Sequence, residues 1–134
     1  MTSIRSHHDL IVWQKAMDLA EEVYRLSRAF PRSEQYALTS QITRAVVSVA
    51  ANIAEGRARS TARDYANFLS IAMGSLAETE TYLILAVRLG YLSNEQIEDA
   101  QELLDHVGRM LTSLRQRLSP RTASPKTENR TPRT

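Results

Sequence analysis

Cysteine is absent from this 134-residue chain, which excludes disulfides, thiolate metal centres and cysteine nucleophiles and fits a reducing cytoplasm. Proline and glycine are scarce, with four of each, and Pro120, Pro125 and Pro132 all lie close to the C-terminus. The segments before them are therefore long and unbroken. No apolar run reaches the roughly 20 residues that span a bilayer. The opening MTSIRSHHDL has no apolar signal core, so the cytoplasm is the expected location. Strand alternation, a glycine-rich phosphate loop and a repeat of fixed period are also missing, which removes α/β folds and solenoids.

What remains is enough for one domain with a single core. Hydrophobic residues make up 43% and charged residues 24%. The net charge of +2 is unevenly placed. From Ser119 onward, Arg121, Lys126, Arg130 and Arg133 stand against Glu128 alone, which leaves the body near −1. The expected organisation is a flexible N-terminus over 1–8, a helical body over 9–118 and a disordered basic tail over 119–134. That tail reads either as a solvated end or as an electrostatic arm for RNA or DNA.

The body carries one period throughout. Val12, Ala16, Leu19, Val23, Leu26 and Phe30 recur at steps of four and three, with Trp13, Met17, Ala20 and Tyr24 as a second stripe. This spacing predicts a helix from about Leu10 to Ala29, with Asp9 as its N-cap and Pro31 closing it. A second helix, capped by Ser33, carries Leu38, Ile42, Ala45, Val49 and Ile53 to Gly56. Thr61 and Asp64 open a third, whose core row is Tyr65, Leu69, Ala72, Leu76, Thr79, Leu83 and Ala86, with Gly90 placed for a left-handed cap. Ser93 and Gln96 form a capping box for the fourth, built on Ile97, Ala100, Leu104, Val107, Leu111, Leu114 and Leu118. Four long helices with short links bury their stripes only against one another, so the expected fold is an all-α, up-down-up-down antiparallel four-helix bundle.

The second helix has three faces rather than two. Beside its core row lies a polar row of Gln41, Arg44, Ser48, Asn52, Glu55 and Arg59. A third face holds Val47, Ala51, Ala54 and Ala58, small and uncharged throughout. This face serves either helix propensity on a solvated surface or close approach of another helix, in the bundle or in a homo-oligomer, and the homo-oligomer interface is the expected use. The polar row reads as a structural network of Arg44, Ser48, Asn52, Glu55 and Glu78. Ser75, Glu78 and Tyr82 face it from the third helix, and an Arg44–Glu78 ion pair is expected within it.

The segments DLIVWQKAMDLAEEVYRL, FPRSEQYALTSQITRAVVSVAANIAEGRAR, YANFLSIAMGSLAETETYL and RLGYL together resemble the bacterial four-helix bundle proteins named after the intervening sequences of 23S ribosomal RNA genes. The resemblance covers roughly Asp9 to Leu118, and VWQKA and NIAEG are its most specific parts. It implies a helical oligomer, with a ring-like pentamer as the associated form. It also implies a distant similarity to the accessory variability determinant of diversity-generating retroelements, a basic pentameric barrel that binds nucleic acid and a reverse transcriptase. One departure is Ala50, where the family commonly has Pro in a phrase like SIPANIAEG; its loss is expected to straighten the second helix.

For catalysis the constellation is poor. His7 and His8 sit at the expected frayed end, His106 lies beside Asp105 on a polar face, and adjacent residues such as His7, His8 and Asp9 seldom converge on one metal ion. No catalytic, cofactor or metal residue is assigned. For nucleic acid, Arg57, Arg59 and Arg63 cluster at the link between the second and third helices, and Arg115 and Arg117 lead into Arg121 and Lys126. The expected function is a noncatalytic oligomeric scaffold or adaptor, with RNA or DNA binding through these residues as the alternative and a further protein partner left open.

Overall fold

The computed structural model describes residues 7–118, which form four α-helices and no strand. They are α1 (His7–Ser27), α2 (Leu38–Arg57), α3 (Ala62–Arg88) and α4 (Glu98–Leu118). Helix α1 packs on α2 and α4, and α3 packs on the same two. The core between them is made of the four expected rows, every member of which is buried except Leu118 at the end of α4. Val46 and Ala50 widen the buried stripe of α2, which runs unbroken past Ala50.

The helix ends follow from local chemistry. Thr61 Oγ1 accepts the Asp64 N–H at 3.1 Å and opens α3. Gly90 closes it at φ +82°, with its N–H on the Val87 carbonyl at 3.0 Å and the Tyr91 N–H on the Ala86 carbonyl at 2.9 Å. That pair of bonds satisfies two orphan carbonyls and needs a left-handed residue between them. Before α4, Ser93 Oγ accepts the Gln96 N–H at 3.1 Å while Gln96 Oε1 accepts the Ser93 N–H at 2.8 Å, both halves of a capping box.

Three helix starts differ from the sequence expectation, and in the fourth helix the capping box at Ser93 closes a turn over 94–97 while α4 itself begins at Glu98. Helix α1 begins at His7, inside the stretch expected to be flexible, so Asp9 is an internal residue of its first turn rather than an N-cap. Ser33 does not cap α2. Arg32–Glu34 form a short 3-10 turn, and the Leu38 N–H is met instead by Glu34 Oε1 at 3.1 Å. Residues 1–6 and 119–134, the latter including Arg121 and Lys126, lie outside the described residues.

Candidate association surface

Among the described residues, no element covers the uncharged side of α2. Ala51, Ala54 and Ala58 are exposed and Val47 is 44% exposed. Bundling therefore does not cover this face. Beside it α1 presents Leu10, Met17 and Tyr24, the last 48% exposed, together with a partly buried Trp13 packed against the core. Two clefts join the helices. One of about 480 Å³ is lined by Leu10, Trp13, Ala54, Arg57 and Ala58. The other, about 410 Å³, has Tyr24, Val47 and Ala51 along its walls, with Arg44 and Ser48. Together they form an apolar strip with small side chains in its middle and large ones along one margin.

The polar row of α2 is partly assembled as expected. Ser48 Oγ lies 2.8 Å from Ser75 Oγ, and Asn52 Nδ2 donates to Ser48 Oγ at 2.9 Å and to its carbonyl at 2.8 Å. Thr79 Oγ1 continues the seam to the Ser75 carbonyl at 2.9 Å. The expected Arg44–Glu78 pair does not form. Both residues are exposed, and the ion pairs among the described residues join Arg25 to Glu22, Arg57 to Asp9 and Arg59 to Glu55. Water solvates both ends well enough that closing two long side chains on each other gains little. Glu55 accordingly serves Arg59 in the link just beyond its helix rather than the seam.

A buried corner, missed by the sequence reading, lies where the start of α1 meets the α2–α3 link. Asp9 is fully buried, accepts the Tyr65 hydroxyl at 2.8 Å and has Arg57 Nε 3.6 Å away. Gly56 lets the helices close here: a Cβ on it would lie 2.7 Å from Tyr65 Cδ1 and 2.9 Å from Phe68 Cβ. Arg59 crosses the outside of the corner, 4.7 Å above the Phe68 ring, with Nη2 2.6 Å from Glu55. Two of the arginines expected to meet nucleic acid are thus engaged within the chain. Arg63, Arg115 and Arg117 are exposed. One signal was available in the sequence: Tyr65 occupies a core position, and a buried phenol requires a partner for its hydroxyl.

The family model for the 23S rRNA-intervening sequence protein matches residues 8–113, nearly the whole of the described helices. The chain belongs to this family. A crystal structure of a protein of unknown function from the S23 ribosomal protein family of Bacteroides thetaiotaomicron VPI-5482 is similar at a TM-score of 0.75 and 27% identity, over 81% of this chain and 98% of that one. No curated protein matches the chain. Neither family nor neighbour brings a reaction or a ligand with it. No helix among the described residues is long and apolar enough to cross a membrane.

Proposed function

We propose that the protein is a noncatalytic cytoplasmic scaffold, an antiparallel up-down-up-down bundle that assembles with copies of itself through the strip on α1 and α2. The observation that carries this reading is the exposure of Val47, Ala51, Ala54 and Ala58 beside Leu10, Met17 and Tyr24. An apolar patch of this breadth on a small domain marks an interaction site. Alanines along a ridge allow another helix axis to approach closely, and the large side chains at the margin supply the knobs. A second, different apolar set, Ile71 and Leu85 on one side of α3 with Leu89 just past its end, is also exposed. Two unlike faces on one chain favour head-to-tail contacts, which close into a ring when the rotation permits. A pentamer is the ring that the family resemblance favours. The antiparallel order is supported by Asp9 of the α1 start meeting Arg57 of the α2 end, and by Tyr82 late in α3 reaching Gln41 early in α2.

Sedimentation of the full chain at micromolar concentration tests the reading. The parent is expected to be a discrete oligomer, and Ala51→Glu with Ala54→Glu to be a monomer of unchanged helicity. A monomeric parent would overturn it.

The second reading, an accessory protein that binds RNA or DNA, is favoured by the exposure of Arg63, Arg115 and Arg117 and by the basic residues that follow Leu118. The distant similarity to the accessory determinant of retroelements belongs to this reading, as does a protein partner such as a polymerase.

A further inference from the structure

A cleft of about 300 Å³ lies between the start of α1 and the second half of α4. Its polar lining is His8, His106, Arg109, Arg117 and Ser113, over an apolar floor that includes Met110. Four of these side chains carry or acquire positive charge, and no carboxylate lines it. The larger cleft between α3 and α4, about 680 Å³, differs in kind: Glu80 and Asp105 offset Arg109 there. We propose that the α1–α4 cleft is a phosphate-binding site.

The sign of the ligand follows from the lining. Two imidazoles alone suggest a metal, but no group of three metal-ligating side chains occurs among the described residues. Two guanidiniums at the same cleft repel a cation and present forked donors that match phosphate oxygens. Arg117 Nη1 donates to Ser113 Oγ at 3.0 Å, which steadies one of these forks at the rim. The α1 helix starts at this edge, so the positive end of its dipole adds to the field. Lys15 stands seven residues after His8, on the same side of α1.

Arg109 is shared: Glu80 and Asp105 face it from the larger cleft and take up part of its charge, so Arg117 carries most of this field. Asp9, adjacent to His8, is turned into the core against Tyr65 and Arg57. Asp105 and Glu102 of α4 line the clefts on the other sides of their helix. The phosphate can be free in solution or part of a nucleic-acid backbone. The inference does not depend on self-association, which the mass measurement tests separately.

The test uses the full chain at low salt, with inorganic pyrophosphate followed by calorimetry and a labelled pentathymidylate followed by anisotropy. Against the parent are set His8→Gln with His106→Gln, Arg109→Gln with Arg117→Gln, and all four together, each checked for parental helicity. Every replaced side chain is exposed and outside the core, and the residues after Leu118 are unchanged. Each pair of replacements is expected to weaken binding by about fivefold or more. Binding of pyrophosphate alone assigns a free phosphate, and binding of the oligonucleotide identifies a strand backbone. Binding of neither probe, or equal binding by the parent and the fourfold variant, would overturn the assignment.

Discussion

Gly56 shows how a single missing carbon sets the approach of two helices. Alanine is the better helix former by about 1 kcal/mol, so an exposed Gly56 would be a defect. It is buried, and an added Cβ would meet the Tyr65 ring and the Phe68 Cβ inside normal contact distance. The ring has no room to swing, because Tyr65 is fully buried and its hydroxyl is held by Asp9. Overpacking costs about 1–3 kcal/mol and outweighs the propensity gain. Gly56→Ala is therefore expected to lower the urea midpoint with an unchanged slope, whereas Gly74→Ala, whose Cβ would meet nothing within 4 Å, is expected to raise it.

Between elements, the clearest link is the carboxylate of Glu34. It accepts the Leu38 N–H at the head of α2 and, at 2.7 Å, the hydroxyl of Tyr91 just beyond α3. The Tyr91 bond first, and the Leu38 amide second, hold the Glu34 carboxyl below its usual range, and the same bond pushes the Tyr91 phenol up. A depressed carboxyl contributes stability above its unfolded value and loses it as pH falls through the folded one; a raised phenol loses its contribution as pH rises through the folded value. The gap in thermal midpoint between the parent and Tyr91→Phe is thus expected to be widest near neutrality and to close in acid and in strong alkali. A gap independent of pH would show that the bond does not carry it.

The four core rows and the α3 and α4 caps were legible in the sequence because a period and a cap are local signals. Glu34 and Asp9 were not. A carboxylate four residues before a helix, or just ahead of an apolar stripe, looks the same whether it caps its own chain or meets a tyrosine more than fifty residues away. Arg44 and Glu78 failed as a pair for the opposite reason: their rows did face each other, and Ser48 and Ser75 did meet, but long charged side chains at a solvated margin have no need to close. The uncharged face of α2 was legible from composition alone, since Val47, Ala51, Ala54 and Ala58 share one side of any α-helix.

At the scale of the whole molecule, association through that face would couple folding to concentration. A partner that binds only the folded chain raises the apparent stability by mass action. Raising the protein from about 1 µM to about 100 µM should lift the thermal midpoint by a few degrees, and Ala54→Glu should remove the dependence. A midpoint that ignores concentration in the parent would argue for an independent subunit.

The Asp9–Tyr65 bond has a consequence for how the chain is made. On the ribosome, α1 and α2 emerge before residue 65, and until then the carboxylate near the start of α1 has no phenol to receive it. A helical hairpin of the first two helices is therefore an unfinished object with a charge at its seam. The earliest moment at which the newborn chain can seal itself comes when the first turn of α3 has emerged.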